Sequence, residues 1–160
     1  MRPPRHAGFS YVGCHRYFLT ICTFQRAELF TIQDLVAAVW LQFLRTGKER
    51  HFALIAYCFM PDHLHVLAEA TSDTADLRRF VSEAKQSGAH AARQWVRGKL
   101  WQSGYYDRIL RDDDNSHDVA RYIIQNPVRA GLAASPEEYP FLGSSILSTN
   151  DLIASIQWKP

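Results

Sequence analysis

The chain has 160 residues, 47% of them hydrophobic and 12% aromatic, and a net charge of +2. That length buries a core without disulfide or metal staples, and that apolar content excludes a disordered chain. No apolar run approaches the roughly 20 residues that cross a bilayer, and the first residues, Met1 to His6, lack the apolar stretch of a secretory leader.

In chain order, a basic, Pro-containing arm over about 1–15 is expected to be extended. Tyr17 to Phe24 is rich in aromatic and β-branched residues and reads as a first strand. Leu29 to Leu44 shifts to helical spacing, with Leu35, Val36, Val39, Trp40, Phe43 and Leu44 on one stripe and Gly47 marking the end. A second strand is expected from about His51 to Phe59 and a third from His63 to Glu69, joined by a Pro61-Asp62 turn. Thr71-Ser72-Asp73-Thr74 supplies turn and cap chemistry before a helix from about Ala75 to Trp95. Leu100 to Leu110 reads as a fourth strand. Asp112 to Ser116 forms a turn that caps a helix from about His117 to Asn126, stopped by Pro127. Gly131, Pro136 and Pro140 break up the remainder, so 133–160 is expected to be irregular, with a short helix near Asn150–Ile156. Residues 1–160 then form one domain of the α+β class. Its antiparallel sheet of four to five strands carries helices packed mainly on one face.

Chemistry concentrates at two places. On a strand, His63 and His65 project from the same face while Leu64, Val66 and Ala68 point to the other. Two imidazoles on one face are placed to share a metal ion. His-x-His is also a short and common pattern, and solvated or hydrogen-bonded histidines at a sheet edge fit it equally. On the 117–126 helix, Val119, Ala120, Ile123 and Ile124 make an apolar sector. Asp118, Arg121, Tyr122 and Gln125 fall opposite it, with Asn126 one turn beyond Tyr122 on the same side. Most helical aromatics are core residues, but this tyrosine lies off the apolar stripe. Beside an amide and two histidines it would unite a nucleophile with three metal ligands.

Charge is unevenly spread. Residues 1–27 carry four arginines and no acid, and residues 78–111 carry eight Lys/Arg against Glu83 and Asp107. Such runs are usually solvated faces. Interleaved with Trp95, Trp101, Tyr105 and Tyr106, these also suit a nucleic-acid groove, with Arg2, Arg5 and Arg16 reaching it and Arg78, Arg79, Lys85, Arg93 and Lys99 lining a backbone track. Cys14, Cys22 and Cys58 lack Cys-x-x-Cys spacing and fit reduced thiols.

Three segments carry a resemblance. Tyr57-Cys58-Phe59-Met60-Pro61-Asp62-His63-Leu64-His65, the stretch Leu100-Trp101-Gln102 through Asp107-Arg108, and Ala120 through Leu132 resemble the REP-associated tyrosine transposases. These belong to the IS200-like, HUH-type single-tyrosine superfamily, and the likeness spans roughly residues 10–142. It implies a ferredoxin-like or RRM-like fold and a single-strand DNA transesterase working through a 5′-phosphotyrosine intermediate. Tyr122 matches the family nucleophile and His63-Leu64-His65 its metal motif. The third ligand falls on Asn126, with the adjacent Gln125 as the alternative, and the ion implied is Mg²⁺ or Mn²⁺. Asp118, one turn before Tyr122, is a candidate supporting base. The implied partners are single-stranded hairpins of repetitive palindromic DNA, with no membrane, in a cytoplasmic, nucleoid-associated protein that is monomeric or homodimeric. A histidine-triad hydrolase would need a third histidine at Leu67. A non-cleaving DNA- or RNA-hairpin binder on the same fold remains the rival.

Overall fold

Strand β1 (Arg16–Cys22) sets the layout of the computed structural model, which describes residues 7–111 and 114–157. Its odd positions Tyr17, Leu19 and Ile21 are fully buried on one face, and Arg16, Phe18, Thr20 and Cys22 take the other. There follow α1 (Gln33–Glu49), β2 (Phe52–Met60), β3 (His63–Ala70), α2 (Leu77–Ala91), β4 (Tyr106–Leu110), α3 (Ser116–Arg129), β5 (Leu142–Gly143) and α4 (Thr149–Gln157). The strands form one antiparallel sheet in the order β4-β1-β3-β2-β5. Order 4-1-3-2 built from β1-α1-β2-β3-α2-β4 is the ferredoxin-like arrangement, extended by β5.

Both faces of the sheet are covered, by different helices. Leu35, Val39 and Phe43 of α1 and Leu77, Phe80 and Ala84 of α2 pack on Tyr17, Leu19, Ile21, Leu64, Val66 and Ala68. On the opposite face, Val119, Ile123 and Ile124 of α3 and Leu152, Ile153 and Ile156 of α4 pack on Ala56, Cys58, Met60 and Leu67. The expectation of helices mainly on one face therefore describes α1 and α2, while α3 and α4 take the other.

Four local expectations are corrected. The tail is irregular over most of 131–148 and ends in the expected helix, α4, but it also supplies β5, paired with β2 through Tyr57↔Gly143 and Cys58↔Leu142. The fourth strand starts at Tyr106 rather than Leu100, because Trp101 turns into the core and donates its indole N–H to the Lys85 carbonyl. The cap of α2 is Asp76, whose carboxylate accepts from the Arg78 and Arg79 amides, so this helix begins two residues late. Pro127 does not stop α3. Its ring is buried within the helix, which runs on to Arg129, so the missing N–H is tolerated where packing compensates. Of the N-terminal arm, residues 1–6 lie outside the described residues, and Tyr11 is buried in the core.

Candidate active site

The register of the central strands places the histidine pair. His65 sits between Thr20 on β1 and Cys58 on β2, and His63 between Cys22 and Met60. Their Nε2 atoms converge to 3.1 Å. Each Nδ1 is held from behind, that of His63 by Asp62 Oδ1 at 2.6 Å and that of His65 by Thr20 Oγ1 at 2.9 Å. With both Nδ1–H groups donating backward, both Nε2 lone pairs face forward into one space. Burial drives His65, 6% exposed, down to about 3, and the neighbouring His63 pushes the same way, so this imidazole stays neutral. A neutral imidazole is the ligand form.

Asp62 is itself anchored. Arg26 Nε meets Asp62 Oδ2 at 2.8 Å, and Arg26 Nη1 donates to Cys22 Sγ at 2.8 Å. Burial alone would raise the Asp62 carboxyl. The hydrogen bond and charge of His63, then of Arg26, outweigh it and hold Asp62 below the usual carboxylate range. Gln25 and Arg26 both adopt positive φ, 54° and 58°, a conformation non-glycine residues adopt at a cost of about 1–3 kcal/mol when the surroundings enforce it. Thr23 Oγ1, donating to the Ala27 and Asp62 carbonyls, ties that turn to the β2–β3 connection.

The same chain supplies the tyrosine. Helix α3 buries Val119 and Ile123 and leaves Tyr122 43% exposed at the edge of its packed face. The Tyr122 ring lies 5.9 Å from the His65 ring and 5.6 Å from that of Phe18, edge to face in both cases. The Arg129 guanidinium stacks over the phenol ring at 4.2 Å and donates to the Tyr122 carbonyl at 2.9 Å. Tyr122 and the two imidazoles thus meet within one chain.

The residues fit a divalent cation. Two cis ligands of an octahedral ion at about 2.1 Å stand about 3.0 Å apart, close to the observed Nε2 separation. Among the described residues no third His, Cys, Asp or Glu joins the pair, so a third protein ligand has to be a neutral group. Asn126, one turn after Tyr122, has a buried amide nitrogen with no hydrogen-bond partner among the described residues. Turning the amide by 180° exchanges that nitrogen for an oxygen, the atom a hard cation takes. Gln125 is half-buried on the same helix and shows no orphaned atom.

Asp118 lies one turn ahead of Tyr122 and pairs with Arg121 at 2.8 Å. It lines a cleft of about 320 Å³ together with Phe18, Arg108, Asp114, Asn115, Val119 and Tyr122. The expected DNA track fares differently. Arg78 and Arg79 stand on α2, across the sheet from the histidines, where Arg78 covers the Tyr11 ring at 4.8 Å and Arg79 pairs with Glu83 at 3.0 Å. Lys85 donates to the Gln102 and Gly104 carbonyls at 2.9 and 2.7 Å, a structural tie. Trp101, 8% exposed, is a core residue and offers no face to a base. Arg93 is exposed, and Lys99 lies over the Phe24 ring at 5.4 Å. Arg16 is on the site face but donates to Ser116 Oγ, tying β1 to the start of α3. Arg2 and Arg5 lie outside the described residues.

Four contributors escaped the sequence reading. Phe18 and Thr20 follow from the alternation of β1, but only strand order says that this face meets His65. Arg26 depends on a local turn of positive φ that no propensity announces. Arg129 sits seven residues after Tyr122 on one helical face, a relation hidden when Pro127 is taken as a stop.

Comparison with known proteins points to one family. Residues 11–126 match the family described as Transposase IS200 like. A REP-associated tyrosine transposase of Escherichia coli is 22% identical over 132 residues, covering 82% of this chain and 77% of that protein. A Haemophilus influenzae protein provisionally given the same name is 23% identical over 137 residues, covering 78% and 77%. Among solved structures, a REP-associated tyrosine transposase bound to a REP hairpin superposes with a TM-score of 0.77 at 21% identity, covering 100% of this chain and 92% of that one. A Deinococcus radiodurans protein provisionally named a transposase gives 0.52 at 22% identity, covering 83% and 99%.

Proposed function

The chain belongs to the IS200-like transposase family, and from that premise we propose that it cleaves and rejoins single-stranded, hairpin-forming DNA through a covalent bond to Tyr122. The carrying observation is the meeting, within one chain, of an exposed tyrosine and two imidazoles whose Nε2 atoms converge. The Tyr122 hydroxyl oxygen attacks a backbone phosphorus. The bond to the 3′ oxygen breaks, that oxygen leaves as a 3′-hydroxyl, and the 5′ side stays on the tyrosine. Because one phosphodiester replaces another, a second 3′-hydroxyl reverses the step without an external energy source.

A phenol is a poor nucleophile near neutrality, and the site must supply help. A divalent ion held by His63, His65 and Asn126 would polarise the phosphate, and the neutral ligands leave it its full charge. Mg²⁺ or Mn²⁺ suits an oxygen substrate and an amide ligand. Arg129, stacked on the attacking ring, offers a cation beside the developing charge. Asp118 is the acid–base group one turn away, already engaged with Arg121. The substrate follows the solved neighbour bound to a REP hairpin: a DNA hairpin of the repetitive palindromic kind, met in a cytoplasmic, nucleoid-associated setting by a monomer or homodimer, one chain carrying both Tyr122 and the two histidines. Among the described residues no helix is long and apolar enough to cross a membrane.

The test is a denaturing gel and mass spectrum after incubation of the chain with a labelled DNA hairpin and Mn²⁺. A phosphotyrosine adduct at residue 122, lost in Tyr122→Phe, is expected. An adduct that persists moves the nucleophile to Tyr106, exposed on the same sheet face beside Thr20. Binding without any adduct leaves the non-cleaving hairpin binder.

A further inference from the structure

The cleft beside Tyr122 has walls, Phe18, Arg108, Asp114 and Val119, that the chemistry of Tyr122 does not use, and Asp118 at its rim keeps one carboxylate oxygen clear of Arg121. We propose that it is a base subsite, holding one unpaired nucleobase of the cleaved strand and favouring bases with an exocyclic amino group over thymine. The proposal rests on the reading of Tyr122 as nucleophile and adds what the neighbouring nucleotide contacts.

Three observations carry it. The first is place: α3 and α4 cover β2 and β3, so the β4 side of this sheet face stays open, and there Arg108 of β4 stands opposite Phe18 of β1. The opening of about 320 Å³ continues to the Tyr122 ring, at the small end of the ~300–1,000 Å³ range of ligand pockets. The second is shape: Phe18, Val119 and Tyr122 give it apolar and aromatic walls, against which a flat ring stacks. The third is charge. Asp114 and Asp118 line the cleft, each paired with an arginine, Arg108 and Arg121, so the cleft offers a phosphate no unpaired cation among its described residues; the strand's backbone passes outside and a base turns in. Asp114 is saturated, its Oδ1 on Arg108 and its Oδ2 on the Arg111 amide. Asp118 gives Oδ1 to Arg121, and its Oδ2 accepts nothing among the described residues. A free carboxylate oxygen accepts from the amino group of guanine, adenine or cytosine, and it repels the two carbonyl oxygens that flank the single N–H of thymine.

The experiment uses Tyr122→Phe protein, which keeps the ring but does not react, and fluorescein-labelled hairpins with a six-nucleotide single-stranded foot. Each foot position is made abasic in turn, and affinity is read by anisotropy. One position is expected to lose about tenfold, within the ~1–3 kcal/mol of a stacked base. Adding Phe18→Leu should abolish that penalty. At the same position thymine should bind several-fold more weakly than the amino bases. Asp118→Asn, an exposed change whose amide also donates, should level that difference. A flat abasic scan overturns the proposal, as does a base preference unchanged by Asp118→Asn. If Phe18→Leu fails to fold, Asp118→Asn alone decides. The two readings fail separately: wild-type adduct with a flat scan removes only the subsite, and a position-specific scan without adduct removes only the transesterase.

Discussion

The two faces of this sheet are built from the same strands and do opposite work. Under α1 and α2, residues 17, 19, 21, 64, 66 and 68 meet a continuous apolar layer in which the Phe80 ring contacts those of Phe43 and Phe52. Under α3 and α4, the apolar layer stops at Leu67, and the next positions along β3 are His65 and His63. One face closes; the other ends in a line of polar groups with rear supports. Stability and chemistry are thereby separated by the width of one strand layer, and substitutions on the two faces should fail in different ways.

The sharpest contrast pairs Phe80→Ala with Tyr122→Phe. Phe80 is fully buried, and its truncation leaves a cavity, so unfolding free energy should drop by about 3–5 kcal/mol. Tyr122→Phe retains the ring and its contacts with Phe18, His65 and Arg129, so stability should stay within about 0.5 kcal/mol while covalent attachment to DNA disappears. Urea titration of both variants beside the adduct assay checks this. A Tyr122→Phe protein that loses several kcal/mol would make the Tyr122 hydroxyl a structural hydrogen-bonding group.

Next in size is the support behind the histidines. Asp62→Asn keeps the shape and removes the charge that orients His63. Supports of this kind are worth about 10–100-fold in metal affinity. Calorimetric titration with Mn²⁺ should show that loss, with Arg26→Met, one contact further back, giving a smaller one. Equal affinity in Asp62→Asn and the unmodified chain would show that His63 needs no such holder.

How much of this was legible in advance differs by face as well. The closed face was almost fully readable, because the period-2 runs of β1 and β3 and the stripes of α1 and α2 encode burial directly. Placement was readable where one element suffices: His63 and His65 fall on one face of β3, and Tyr122 lies off the apolar stripe of α3. It failed where the site depends on pairing. Nothing local says that Thr20 lies opposite His65, that Arg26 bends back onto Asp62, or that α2 carries Arg78 and Arg79 to the far side. The basic run at 78–111 does not mark one face, since charge in sequence says nothing about which side an element presents: Arg78 and Arg79 lie across the sheet from the histidines, while Arg108 lines the cleft beside Tyr122. The tail misled through its prolines and glycine, which mark turns but do not exclude a two-residue strand pinned by β2.

A smaller effect is expected from acid. His65 is held neutral with its pKa near 3 in the fold, against an ordinary 6.5. Below 6.5 the unfolded chain takes up a proton that the folded chain refuses, so stability falls as pH drops from 6.5 towards 3 and is unaffected above 6.5. The slope is at most about 1.4 kcal/mol per pH unit. Carboxylates begin to take up protons about one unit above their ordinary 3.9–4.3, so the window from 6.5 to about 5.5 isolates histidine. In chelator-treated protein, His65→Asn should flatten the stability profile in that window. Parallel profiles would mean that His65 is open enough to protonate in place.

The least effect should come from the cations on the closed face. Arg79 is tied with Arg50 to Glu83, and Arg78 rests on Tyr11. A strand whose reacting phosphate sits at Tyr122 is separated from them by the sheet layer, about 10 Å. The Debye length at physiological salt is about 8 Å, so their attraction to that strand is largely screened. The double change Arg78→Gln, Arg79→Gln should therefore alter hairpin affinity less than about threefold at 150 mM salt. Arg129→Gln, on the site face, should weaken binding several-fold and lower the salt dependence by about one phosphate contact. Titrations from 50 to 200 mM salt on both variants compare the two faces directly. If the α2 double change reduces the salt slope as much as Arg129→Gln does, the DNA wraps the sheet edge and reaches α2, and the division of labour between the faces holds for chemistry but not for binding.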